Sequence, residues 1–229
     1  MADETYMDKQ GNNVTLKELL KDKTEDQIKA IKFFKGIPIN EGCFKKEYLH
    51  LDAYQKLVST KAGDSSHKEH ALQKLGLDED QVCEIEPVCF EGYRYSYNKL
   101  EPYTGGVGDR FVSSMFETTW LFFGDEQVYM YNQSFDTTDS TLFQTTSEYF
   151  YSDITAFSTR SDNVERKIWF LEGSGCASER VSKLTSVNEE LFRIVVPGEE
   201  FACAYNDDDG NTQKKVSAMK QKLREKKQK

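Results

Sequence analysis

Twenty of the chain's 29 aromatic residues lie between Phe90 and Phe170, interleaved with Thr and Val. Aromatic and β-branched side chains fit a pleated, half-buried backbone better than a helix. This stretch therefore commits the middle of the chain to strands, and whatever flanks it must pack on a sheet. The residue pattern predicts strands near 88–97, 110–123, 126–135, 143–151, 153–160, 164–171, 190–196 and 200–205. "FFGDEQVYMY" predicts a hairpin turning at Gly124 and Asp125. In "FRIVVPGEEFACAY", Phe192, Ile194 and Val196 alternate with Arg193 and Val195, and Pro197-Gly198 suits a type II turn. "KLEPYTGGVGD" and "EGSGCASERVSKLTSVN" read as long, mobile loops.

Residues 1–86 carry a different pattern, that of short helices. Thr15-x-x-Glu18, Thr24-x-x-Gln27 and Ser66-x-x-Glu69 fit the capping box, in which each side chain satisfies a free backbone N–H of the other. Asp78-x-x-Gln81 is a weaker variant. Ile28, Ile31 and Phe34 fall on one helical face, as do Ala71, Leu72 and Leu75, with Gly76 as a stop. All four prolines (Pro38, Pro87, Pro102, Pro197) sit at predicted boundaries. The chain thus divides into a helical region, 1–86, and a β domain, 87–229. At its end Val216, Met219 and Leu223 recur at helical spacing after Asn211, a good N-cap. Burying each is worth roughly 1.5–3 kcal/mol, so the last helix is expected to dock on the sheet.

Charge narrows the partners. The net charge is −9, and the residues from Lys214 onward hold eight Lys or Arg against Glu225 alone. The first 213 residues therefore carry 22 positive and 38 negative charges. An acidic body opposes nucleic-acid binding, which needs clustered cations to release counterions. It also weakens a broad contact with anionic lipid. The N-terminus lacks a basic segment followed by an apolar one, and no run reaches the roughly 18 apolar residues of a membrane helix. Five cysteines without metal-like spacing are expected to be thiols in a reducing cytoplasm.

The order of strands and terminal helix restricts the fold to a small barrel or sandwich with one end covered by that helix. "TTWLFFGDEQVYMYNQSFD", "SEYFYSDITAFSTRSD", "FRIVVPGEEFACAY" and the closing "KKVSAMKQKLREKK" resemble a bacterial pleckstrin-homology-like (GRAM-like) domain over about 140 of the 229 residues. The resemblance implies an α+β protein: N-terminal short helices, then an antiparallel barrel or sandwich of about seven strands closed by a C-terminal helix. It also implies peptide binding along a sheet edge or beside that helix.

Candidate chemistry is sparse. "TGGVGDR" lacks the Lys-Ser/Thr pair and following helix of a phosphate loop. Placing Gly210 at the sixth position of a calcium loop puts Tyr205 first and Val216 twelfth, neither a ligand. His67 and His70 share a helical face with no completing ligand pattern, and Cys83 and Cys89 miss zinc spacing. No nucleophile or paired-carboxylate motif stands out, and no cofactor or metal is expected. Lys99, Arg110, Lys222, Arg224, Lys226 and Lys227 are the candidate contact residues, with Asn211, Val216, Met219 and Leu223 structural. The leading expectation is a non-catalytic intracellular protein-interaction or assembly module. The alternatives are peripheral binding to anionic membranes through the basic tail, and a small-ligand or divergent enzymatic site lined by aromatics.

Overall fold

The computed structural model describes residues 4–41, 46–63, 67–82, 85–96, 101–172, 179–206 and 211–227. The chain opens on a hairpin where helices are expected. Strand β1 (Thr5–Met7) pairs antiparallel with β2 (Asn13–Thr15). Asp8 holds the turn by accepting the N–H groups of Gln10 (2.9 Å) and Asn12 (2.8 Å) through Oδ1. Thr15 then starts α1 (Leu16–Leu19) and Thr24 starts α2 (Glu25–Lys35), each with both hydrogen bonds of the capping box. Two short strands, β3 (Asn40–Glu41) and β4 (Lys46–Glu47), precede α3 (Leu51–Ala62) and α4 (Lys68–Leu75). Gly76 stops α4 in the left-handed region. Ser66 lies outside the described residues. Asp78 N–H bonds Gln81 Oε1 at 2.8 Å as a single 3-10 turn, Glu79–Val82, begins.

The remaining strands are β5 (Ile85–Arg94), β6 (Thr104–Val107), β7 (Arg110–Ser113), β8 (Met115–Phe123), β9 (Gln127–Asp136), β10 (Leu142–Phe150), β11 (Ala156–Glu172), β12 (Glu179–Val196) and β13 (Glu199–Ala204); α5 (Asn211–Lys227) closes the chain. They form a four-stranded sheet, β10-β9-β8-β5, and a five-stranded one, β13-β12-β11-β6-β7. Neighbours are antiparallel except β11 and β6, which meet in parallel at Trp169 and Gly105. The protein is therefore α+β. Nine strands in two sheets stand where a barrel or sandwich of about seven is expected, and among the described residues four helices precede them.

The extra strands come from segments that read as loops. Gly105 and Gly106 lie in β6, where a Cβ would come within 3.2 Å of the Phe33 and Phe34 rings and 2.9 Å of Phe111. Small residues are required there by close approach, not by a turn. Residues 179–188 continue β12 beside β11 in one unbroken register from Ala156↔Val195 to Glu172↔Glu179. Their alternation is weak because exposed side chains such as Leu184 and Ser186 occupy one face.

One core lies between the sheets and under α5, where Phe90, Leu121 and Met130 meet Phe192, Ile194 and Cys203, with Val216 and Leu223 entering from the helix. A second joins the N-terminal helices to the β segment: Phe34, Tyr54 and Val58 pack with Phe116, Phe135 and Ile168. Helix α4 covers Phe122 and Tyr131. The two sheets touch at Gly92, where a Cβ would lie 2.9 Å from the backbone of Ala204 and Tyr205. Among the described residues no helix is long and apolar enough to cross a membrane.

Candidate functional site

Two buried polar networks are the first places to seek chemistry. In one, Arg94 lies between Glu117 (Nη1–Oε2, 3.1 Å) and Glu189 (Nε–Oε1, 3.3 Å). Glu117 also accepts Ala204 N–H at 2.8 Å and the Asn132 amide at 2.9 Å, and Glu189 accepts Tyr95 N–H at 2.8 Å. Burial opposes the Arg94 charge, but the two carboxylates outweigh it and raise the guanidinium's pKa. Burial, with Glu117 nearby, pushes the Cys203 thiol well up, which removes it as a nucleophile. These groups lie where β5, β8, β12 and β13 converge, and they bond one another. The network ties the two sheets together.

In the second network, Lys9 from the turn after β1 lies 2.7 Å from both Asp136 Oδ2 and Asp139 Oδ2. Asp136 also accepts Ser114 Oγ (2.8 Å), Thr138 N–H (2.8 Å) and Thr138 Oγ1 (2.6 Å). Lys61 of α3 donates to the Asp136 and Asp139 carbonyls, and Lys35 lies over the Tyr103 ring, 3.8 Å from its centroid. Burial opposes ionisation of Asp139, but bonds from Lys9 and Thr141 more than offset it and hold its carboxyl below the usual range. Each carboxylate here is met by a cation or a hydroxyl, so the cluster fastens the first hairpin, α2 and α3 to the β9–β10 turn.

The sheet edges differ more sharply. An open edge offers unpaired N–H and C=O groups to any incoming strand, so proteins usually shorten, charge or cover it. The β7 edge is closed by tyrosines: Tyr54 OH donates to Ser113 C=O (2.7 Å) and Tyr95 OH to Phe111 C=O (2.9 Å). The β5 edge meets β13, with Asn206 N–H on Glu91 C=O at 2.9 Å. Among the described residues nothing closes strand β10 in this way, and Glu148 is its one charge. The strand is nine residues long, pairs with β9 without a bulge, and contains no Pro, Lys or Arg.

The ladder gives the direction of its backbone groups. Asp136 N–H bonds Thr141 C=O, and Tyr151 N–H bonds Glu126 C=O, so the odd-numbered residues between them bond inward to β9. Leu142, Gln144, Thr146, Glu148 and Phe150 therefore aim N–H and C=O at the free edge. Among the described residues nothing bonds the backbone of Gln144, Thr146 or Glu148 from that side. Leu142, Phe143 and Phe150 are exposed along the same strand, at 54%, 41% and 50%. Beside Leu142 a cleft of about 480 Å³ opens between α2, α3 and β9, lined by Ala30, Leu57 and Phe135 among others.

Of the cations picked out by sequence, Arg110, Arg224 and Lys226 have described side chains. Arg110 is exposed and reaches Asp52 (3.3 Å) and Gln55 (2.9 Å) of α3, fastening that helix to β7. Lys99 lies outside the described residues. Lys226 is 3.9 Å from Asp125 in the β8–β9 turn, and Arg224 is exposed. The side chains of Asn211, Met219, Lys222 and Lys227 lie outside the described residues, although α5 includes all four positions; Val216 and Leu223 are buried at 1% and 0%. Sequence reasoning missed β10 as an edge. Its signal was there: "LFQTTSEYF" is polar on both faces through its middle.

No family model matches this chain, and neither a curated protein nor a solved structure does.

Proposed function

We propose that the chain is a non-catalytic intracellular interaction module that binds an extended protein segment by strand addition along β10. The open nine-residue edge carries this reading. An added strand gains main-chain hydrogen bonds from Gln144, Thr146 and Glu148, and the cleft beside Leu142 selects one of its side chains. Pleckstrin-homology-like ancestry belongs to the same proposal. In its favour are the run of antiparallel strands and the following helix, whose Val216 and Leu223 enter the inter-sheet core. The β11–β12 hairpin and the N-terminal helices are elaborations on that plan. Cys203 as a buried thiol suits a reducing compartment.

The test is site-specific photo-crosslinking in the native cell, with a benzophenone amino acid at Thr146 and, as control, at exposed Ser186 on β12. Protein adducts at 146 and none at 186 support strand addition. An absence of adducts at 146, or equal adducts at both, overturns it.

A further inference from the structure

We propose that the strand added to β10 is β10 of a second copy, giving a two-fold symmetric dimer with one continuous eight-stranded sheet. The inference rests on the strand-addition reading above and adds the occupant. Its basis is that "LFQTTSEYF" is chemically near-palindromic about Thr146. Antiparallel pairing centred there sets Leu142 against Phe150, Phe143 against Tyr149, Gln144 against Glu148, Thr145 against Ser147 and Thr146 against itself. Apolar residues meet apolar, hydroxyl meets hydroxyl, and an amide meets the carboxylate. Such cross-strand pairs are the favourable ones, and like charges directly opposite are destabilising.

Register and parity agree with this pairing. The residues whose backbone groups face the free edge are the even-numbered ones, and about Thr146 even residues meet even residues. Leu142–Phe150, Gln144–Glu148 and the central Thr146 pair then fall on hydrogen-bonded positions of the antiparallel ladder, and the two odd-numbered pairs alternate between them. Pairing tapers at the ends, where Phe150 C=O already accepts Asp153 N–H at 3.0 Å. Moving the two-fold axis to Glu148 sets Glu148 against Glu148, and moving it to Gln144 leaves Phe150 without an opposite residue on β10. The Thr146 register alone uses the whole strand and opposes no like charges.

Side chains complete the fit. Opposite residues of an antiparallel pair share a face, so the incoming Phe150 lies beside Leu142, at the mouth of the cleft lined by Ala30, Leu57 and Phe135. Each copy offers the exposed Phe150 ring and the cleft beside Leu142, and the two-fold axis matches them twice. Each chain carries a net charge of −9, so the copies repel at long range and salt tightens the dimer.

Sedimentation equilibrium of the full chain, from about 1 µM to about 1 mM, tests this directly. The wild type is expected to pass from monomer to dimer mass, at lower concentration when salt is raised. Thr146→Lys and Thr146→Glu place like charges across the two-fold axis on an exposed side chain, so each alone is expected to stay monomeric while folded by circular dichroism. Their equimolar mixture is expected to restore the dimer. A wild type that stays monomeric throughout overturns the proposal, as does a dimer unchanged by Thr146→Lys or a mixture that fails to associate. The cross-linking above separates the two readings. An adduct at 146 to a different protein, with no homodimer, sinks the second copy as occupant and leaves strand addition standing. No adduct sinks both.

Discussion

Removing Glu117 is the sharpest test of how the two sheets are joined. Its side chain is 3% exposed and gathers four donors from three other strands: Arg94 Nη1, Ala204 N–H, the Asn132 amide, and Ser134 Oγ at 3.4 Å. Glu117→Ala leaves Arg94 with Glu189 as its remaining ion-pair partner and orphans a buried backbone N–H. Breaking one side of a buried ion pair costs about 3–5 kcal/mol. The orphaned Ala204 N–H supplies about 1–3 kcal/mol of that total, and the contributions are not additive. For a chain of this length about 1 kcal/mol moves Tm by roughly 2–4 °C, so Glu117→Ala is expected to lower Tm by about 6–20 °C. Urea unfolding followed by fluorescence of Trp120 and Trp169 measures the loss as a shift in midpoint at unchanged slope. Glu117→Gln keeps an acceptor for Ala204 N–H and is expected to lose less than half as much. A Glu117→Ala variant within about 1 kcal/mol of wild type, or a Glu117→Gln variant equally damaged, refutes the network as the tie between sheets.

Other perturbations probe separate joints. Gly92→Ala drives a methyl against backbone atoms of Ala204 and Tyr205 that cannot rotate away, and is expected to cost about 1–3 kcal/mol or more by urea midpoint; no loss means the sheets are not in close contact there. Tyr54→Phe removes the hydroxyl that bonds Ser113 C=O and Thr137 Oγ1, and is expected to cost about 1–2 kcal/mol and speed amide exchange along β7. The Asp139 carboxyl titrates lower in the folded chain than in the unfolded one. Its stabilisation is therefore present above the unfolded pKa and lost as pH falls through the folded value. Asp139→Asn is expected to flatten the acid limb of stability against pH below about pH 4, and an unchanged limb counts against the Lys9 clamp.

Features written in neighbouring residues were legible from sequence, and those written across the fold were not. Thr15 and Thr24 cap helices with partners three residues away, so a sequence window contains the whole interaction. The same holds for Pro197-Gly198, where Gly198 takes φ +86° between β12 and β13. Gly105 and Gly106 looked like loop residues because the reason for their size, the rings of Phe33, Phe34 and Phe111, lies on other elements. Lys9, Asp136 and Asp139 come together only after the first hairpin is placed against the β9–β10 turn, more than a hundred residues away in sequence. The expected helical start failed for a similar reason: Tyr6 is buried through pairing of β1 with β2 and packing on Ile31 and Ile37, not through a helical stripe.

The aromatic density that fixes the fold also marks where the sheet stops. Strand β8 carries aromatics on both faces and β9 an apolar residue on each, because α4 covers Phe122 and Tyr131 on one side, and the inter-sheet core takes Phe123 and Met130 on the other. Across Gln144–Glu148 the aromatics vanish, and the burial pattern turns exposed on both faces at once. A strand that passes through the interior needs at least one apolar face; one with neither is at an edge. Aromatics return only at the strand's ends, in Phe143, Tyr149 and Phe150. An edge meant only to face water gains nothing from exposed rings at its ends and is normally guarded by Lys or Pro. Apolar ends around a neutral hydroxyl-rich centre are what a second strand needs, because the ends supply burial and the centre supplies hydrogen bonds.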